Sequence, residues 1–155
     1  MNAHPAQSVS VERVIAASPQ RIFDVLADPR LHVAIDGSGT LKDALEGPAR
    51  LTLGARFGMR MRILVPYSIQ SVVVEFEEGR RIAWRHWGHH RWRYELLPQA
   101  DGRTLVRETF DWSTALSPRI IELLGYPRRH PKGMAGTLER LERYLDQHRV
   151  GAVPA

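Results

Sequence analysis

Three histidines, His86, His89 and His90, fall within one short stretch and are interleaved with Trp87 and Trp92. Imidazoles this dense are either a metal set or a solvated hairpin turn with one hydrogen-bonded histidine beneath it. The spacing is poor for zinc. Only one strand register turns His86 and His90 inward, His89 falls at a loop tip, and no neighbouring Asp or Glu completes a set. The sequence thus specifies neither a metal site nor a cofactor.

Glu108 is the more telling residue. Strict alternation places it between Val106 and Phe110, on the apolar face of its strand. A carboxyl buried without a partner has its pKa raised toward neutrality, where it suits a general acid or base acting on a carbonyl compound. With His86 on the same face, the two would form a catalytic pair able to move protons in an aldol cyclisation or dehydration. Two plainer readings stand beside this one: a β-bulge that turns Glu108 outward, or a structural salt bridge to an arginine.

Other catalytic patterns are missing. There is no phosphate-binding Gly-x-x-x-x-Gly-Lys-[Ser/Thr], no Gly-x-Gly-x-x-Gly and no Gly-x-Ser-x-Gly. Asp36-Gly37-Ser38-Gly39 reads as a flexible turn rather than a nucleophile site. With no cysteine in the chain, thiolate nucleophiles, disulfides and Cys-based metal sites are excluded.

The elements that must position these groups follow from periodicity. Val9 to Ala17 alternates as a strand. Ser18 is a candidate N-cap with Pro19 at the first helical position, Ile22, Phe23, Val25 and Leu26 have helical spacing, and Asp28-Pro29 ends the helix. A second short helix is expected from Pro29 to about Ala34. From Thr40 to Thr114 the chain reads as an antiparallel meander with short Gly-containing turns. A final helix from about Pro131 to Gln147 carries Met134, Leu138, Leu141 and Leu145 as one apolar stripe.

A register follows if Glu77 to Arg81 and Gly88 to His90 are the loops. Phe76 then opposes Ile82, Val74 opposes Trp84, Val72 opposes His86, Trp84 opposes Tyr94 and His86 opposes Trp92. Extended one strand further, it pairs Tyr94 with Val106 and Trp92 with Glu108. One face gathers the aromatic and aliphatic residues; the other gathers Arg85, Arg91, Arg93, Arg107, Glu75, Glu95 and Asp111. Only the last helix is long enough to cover the apolar face. A curved sheet around one helix leaves space, which Trp84, Trp92, Tyr94, Phe110 and Trp112 either fill or line.

At 155 residues, 43% of them hydrophobic and 25% charged, the chain has the length and composition of one globular domain. No apolar run reaches the roughly 18 residues of a membrane span. The net charge is +5, with Lys42 and Lys132 the only lysines and the remaining basic residues all arginine. Seventeen acids are interspersed with these, which argues against a nucleic-acid platform despite the basic pI of about 10.2. Missing cysteines and an N-terminus without a secretory pattern lead us to expect a cytoplasmic protein.

The opening strand Val9-Ser10-Val11-Glu12-Arg13-Val14-Ile15 and the following Ala17-Ser18-Pro19-Gln20-Arg21-Ile22-Phe23-Asp24-Val25-Leu26-Ala27-Asp28-Pro29 carry a family resemblance. It continues in Gly54-Ala55-Arg56-Phe57, Arg81-Ile82-Ala83-Trp84 and Gly102-Arg103-Thr104-Leu105-Val106-Arg107-Glu108-Thr109-Phe110-Asp111. The chain resembles the START-like, Bet v 1-like superfamily, also labelled SRPBCC or polyketide cyclase/dehydrase, from about Val9 to Gln147. The resemblance implies an α+β helix-grip fold: a curved antiparallel sheet of six to seven strands around a long C-terminal helix, with two short helices after the first strand. It places a single domain at 9–148, leaving 1–8 and 149–155 as flexible tails.

It also implies an internal pocket for an apolar small molecule such as a lipid or polyketide. On the shared face derived above, the sheet would line that pocket with Met59, Met61, Val74, Trp84, Trp92, Tyr94, Phe110 and Trp112. Met134 and Leu138 would close it from the last helix. Three functions compete: ligand binding; a cyclase or dehydratase using Glu108 and His86; and a protein or RNA interaction module on the basic outer face. The short apolar segment Arg119 to Tyr126 would be a lid or part of a homodimer contact.

Overall fold

Ser18 accepts a hydrogen bond from the Arg21 amide, and Pro19 occupies the first turn, so α1 (Pro19–Leu26) starts where the cap dictates. Its buried Ile22, Phe23, Val25 and Leu26 face the core. A 3₁₀ turn (Pro29–Leu31), capped by the Asp28 carboxylate, runs directly into α2 (His32–Ile35). The computed structural model describes residues 6–149.

Seven strands follow the expected meander: β1 (Ser8–Ile15), β2 (Leu41–Glu46), β3 (Arg56–Arg62), β4 (Pro66–Glu77), β5 (Arg81–Arg85), β6 (Arg91–Pro98) and β7 (Thr104–Asp111). They form one antiparallel sheet in the order β1-β7-β6-β5-β4-β3-β2. After β7 come α3 (Pro118–Leu123) and α4 (Tyr126–Gln147). The stripe Met134, Leu138, Leu141 and Leu145 is buried, and α4 packs chiefly along β1 and against α2. This is the expected α+β helix-grip architecture.

Several local expectations change. β1 begins at Ser8, so Ser8 belongs to the sheet, and the Trp112 amide donates to the carbonyl of the preceding Gln7. Residues 1–5 and 150–155 of the expected tails lie outside the described residues. The last helix starts at Tyr126 rather than at Pro131. Gly125, at φ 74°, breaks the chain after α3, and Pro127 then takes the first turn.

The register also shifts. The β5–β6 loop spans His86 to His90, with His89 at φ 64°, rather than three residues. Trp84 therefore opposes Trp92 and Ile82 opposes Tyr94; across the β6–β7 turn, closed by Pro98 opposite Thr104, Tyr94 opposes Glu108 and Trp92 opposes Phe110. A slip of two keeps every residue of these strands on its expected face, because side chains alternate with period 2. In β4 the change is of face. Phe76 opposes Ile82 as expected, but a bulge between Val73 and Glu75 makes Val73 oppose Trp84 and Val72 oppose Arg85. Val73 is buried in place of Val74, and Val74 leaves the set of interior residues.

The Asp36-Gly37-Ser38-Gly39 turn is a locked crossing rather than a flexible one. The Asp36 carboxylate accepts from the Ser38 and Leu41 amides and from the Ser38 hydroxyl, and the Gly37 amide donates to Thr137 Oγ1. Gly37 lies directly on the α4 backbone: a Cβ there would collide with Thr137, Gly133 and Gly136 main-chain atoms. Gly37→Ala should therefore push this turn off α4 and cost about 1–3 kcal/mol, the usual range for overpacking. Urea unfolding of the variant measures this; an unchanged midpoint would contradict the contact.

Candidate functional site

Among the described residues, Glu108 is the one buried acid. Glu108 is 3% exposed, in a row running Val11, Glu108, Tyr94, Ile82 across four strands. The Tyr94 hydroxyl donates to Glu108 Oε1 at 3.0 Å, while Oε2 is buried with no hydrogen-bond partner. Burial pushes the Glu108 carboxyl up to about 8; the Tyr94 bond opposes this and the nearby Asp36 charge adds to it. The carboxyl is thus neutral at pH 7. With Oε1 accepting from tyrosine, it has an acidic proton to offer through Oε2. Tyr94 is pushed well above its usual value, by burial first and by Glu108 next.

His86 points inward as alternation requires, but it does not pair with Glu108. Its Nδ1 shares a 2.7 Å hydrogen bond with Ser71 Oγ. Its ring meets His90 edge-on at 5.7 Å. The shift of register explains the separation: the long β5–β6 loop carries His86 past the end of β6, and Tyr94 takes the place opposite the acid. Burial, with His90 adding, holds His86 down at about 4. His90 is also lowered by burial, and its Nδ1 is buried without a partner.

Sequence reasoning missed His130, which α4 inserts beside these rings. It lies 4.6 Å from Phe110, 5.0 Å from Trp92 and 5.2 Å from Tyr126 between ring centroids. Burial and the neighbouring His90 and Arg129 hold it at about 4. It also missed His32, whose ring stacks on Trp84 at 4.8 Å and donates through Nε2 to the Leu26 carbonyl. Neither shows a signal in its own element, since each acts on a strand far away in the chain. Among the described residues, no group of three or more His, Cys, Asp or Glu converges as a metal site would.

The aromatic residues expected to line a pocket do face inward, but much of that set is interlocked. Trp84 is held between His32, Phe57 and Tyr94, in a core cluster with Met59 and Leu138. Phe110, Trp112 and Met134 form a second cluster with Ile121. Trp92 and Met61 are only partly buried, and Trp92 touches both clusters. Glu108, between Val106 of the first and Phe110 of the second, sits at the seam. A surface groove of about 510 Å³ opens elsewhere, at the α3–α4 corner, lined by Trp112, Glu122, Leu123, Pro127 and Arg128 among others.

On the outer face, Arg93 binds Glu75 and Asp111, Arg91 binds Glu75, and Arg107 binds Glu12, which makes an ion-paired ladder across the strands. A curved antiparallel sheet gripping a long C-terminal helix, with short helices after the first strand, defines a START-like helix-grip protein. The family of polyketide cyclase / dehydrase and lipid transport proteins matches residues 6–146, and the chain belongs to it.

The chain is 34% identical over 149 residues to uncharacterized protein Rv0088 of Mycobacterium tuberculosis, an alignment that takes in 93% of this chain and 64% of that relative. It therefore spans just under two thirds of the relative's length. Among solved structures, protein NE0264 from Nitrosomonas europaea is similar at a TM-score of 0.73 and 17% identity, over 94% of this chain and 97% of its own. Protein Ms6760 from Mycobacterium smegmatis is similar at 0.68 and 15% identity, over 92% of each. At these identities the solved structures show the fold.

The shifted groups make stability pH-dependent in two windows. His86 and His130 are lowered from 6.5 to about 4, so their contribution is present above about 6.5 and is lost as pH falls through about 4. Glu108 is raised from 4.5 to about 8, so its contribution is present below about 4.5 and is lost as pH rises through about 8. Glu108→Gln should remove the loss of stability that accrues as pH rises from about 4.5 to about 8, while leaving the loss below about 6.5 that the histidines cause. Thermal melts of both proteins between about pH 4 and 9 check this: the two curves should diverge from about pH 5 to 8 and run parallel above about 8, and parallel curves between about 5 and 8 would contradict a raised Glu108 pKa.

Proposed function

We propose that the protein binds an apolar small molecule bearing a hydrogen-bond acceptor such as a carbonyl, with the neutral Glu108 carboxyl donating to that group. The observation that carries this reading is Glu108 Oε2, buried at the seam of two apolar clusters without a partner. A buried polar atom left unsatisfied costs about 1–3 kcal/mol, and a ligand acceptor would recover part of that. The partly buried Trp92, which touches both clusters and meets the His130 ring at 5.0 Å, marks the side from which a ligand would part the seam. Apolar walls with a few convergent polar groups are the usual composition of such sites. Membership of a family described by cyclase, dehydrase and lipid transport activity agrees with an apolar ligand.

Binding is favoured over turnover by the partners the two candidate catalytic groups take. Glu108 is bonded to Tyr94 and His86 to Ser71, which leaves no Glu–His pair to relay a proton.

The test compares a medium-chain methyl ketone with the alkane of the same length, read by quenching of tryptophan fluorescence. The ketone should bind more tightly. Glu108→Gln, which retains a donor, should keep its affinity within about tenfold, because one neutral hydrogen bond is worth about 0.5–1.5 kcal/mol. Glu108→Leu should erase the preference for the ketone and leave alkane binding in place. The preference should also fade as pH rises through about 8, where the carboxyl ionises and its proton is gone. Equal binding of both probes by the wild type would defeat the anchoring role; failure to bind either would defeat the binding reading.

A further inference from the structure

The two ends of the sheet differ in their surface chemistry. At the end holding the β4–β5 and β6–β7 turns, charges are neutralised in pairs: Arg50 with Asp24 and Glu78, Arg80 with Glu77, and Arg103 with Asp101. The opposite end holds the β3–β4 hairpin tip, the β5–β6 loop, and α3 with the start of α4. Hydrogen bonds from the Leu116 amide to the Gly88 carbonyl (3.0 Å) and from Thr114 Oγ1 to the His89 carbonyl (2.8 Å) tie the β5–β6 loop to the approach of α3. β4 runs six residues beyond its last pairing with β5, so the β3–β4 hairpin projects past that loop at the same end.

Large apolar side chains are concentrated here and face water. Ile63, Leu64 and Val65, consecutive at the hairpin tip, are 68%, 90% and 67% exposed. Trp87 is 81% exposed and Leu123 87%. Three consecutive exposed aliphatics with no core role are a signature of an interaction surface. The tip is flanked by Arg62, and the α3–α4 corner carries Arg119, Arg128 and Arg129. None of these four forms an ion pair among the described residues. Glu122 is the acid of α3, and it is engaged by Trp112 and Gln7.

We propose that this end docks on an anionic lipid surface, with the Ile63-Leu64-Val65 tip and the exposed face of α3 entering the interface and the unpaired arginines meeting the headgroups. Apolar insertion combined with cations free of internal partners is what binding to an anionic bilayer needs, and neither suffices alone. A protein partner or a second copy of the chain would also cover apolar side chains. The cluster of unneutralised arginines at this end, where the one acid of α3 is held by Trp112 and Gln7, favours a uniformly anionic partner. The proposal stands on the surface alone and does not depend on what Glu108 anchors.

The experiment is co-sedimentation with vesicles of equimolar phosphatidylglycerol and phosphatidylcholine, against vesicles of phosphatidylcholine alone. Binding is expected to the first and to be at least about tenfold weaker to the second, and to fall as salt rises from about 0.05 to about 0.5 M. The variant Ile63→Ser/Leu64→Ser/Val65→Ser should lose binding at least about tenfold while melting at the wild-type temperature, since the tip lies outside the core. Arg128→Glu/Arg129→Glu should lose the preference for anionic vesicles. Wild type that ignores both vesicle types would overturn the proposal. So would equal binding by the tip variant, or concentration-dependent self-association by sedimentation velocity that the tip variant abolishes without any vesicle binding.

Discussion

A carboxyl group in an apolar interior must be neutralised, paired or kept from ionising, and the concave face of this sheet takes the third course. Glu108 meets a tyrosine hydroxyl instead of a cation. Its arginine-rich neighbours in sequence all lie on the other face, where Glu75, Glu95 and Asp111 already engage them. Moving one of those guanidinium groups inward would require a strand to slip by one residue and expose its aromatic set. The alternation that builds the core thus also denies the acid a counter-ion, and its neutral form follows.

The rest of the interior is arranged around that row. On one side of it, Val106, Leu96 and the α1 residues close a tight core with the C-terminal half of α4. On the other, Phe110 is ringed by His90, Trp92, Trp112 and His130, which form a looser and more polar packing. Gly37 lets the turn after α2 lie against the α4 backbone, and that turn carries Asp36 toward Glu108 and Tyr94. Neutral histidines and a neutral carboxyl in one apolar space amount to a set of hydrogen-bonding groups without net charge, suited to an uncharged ligand.

The same polarity runs along the molecule's long direction. One end is a mosaic of ion pairs around short turns; the other gathers apolar side chains and unpaired arginines on projecting segments. Two partly buried aromatic residues of the interior, Trp92 and Tyr126, lie toward this second end.

Short-range patterns were enough to read the elements and their faces. The Ser18-Pro19 cap, the i, i+4, i+7 stripe of α4 and the alternation of Val106, Glu108 and Phe110 each express a local period, and each holds in the structure. Phe76 opposite Ile82 was legible because a tight turn fixes it. What lay beyond the sequence was every distance that depends on loop length or on a remote element. Five residues in the β5–β6 loop instead of three exchanged Tyr94 for Trp92 opposite Trp84, the β6–β7 turn exchanged Val106 for Glu108 opposite Tyr94, and the β4 bulge exchanged Val74 for Val73. His32 on Trp84 and His130 on Phe110 came from helices whose own sequences say nothing of those rings. The sequence by itself pointed Glu108 to the apolar face, because side-chain direction in a strand without a bulge is set by parity, and β7 pairs without one on both sides. The tertiary structure decided that its partner is Tyr94 rather than His86, because pairing depends on register, and register is set by loops and packing that no local period encodes.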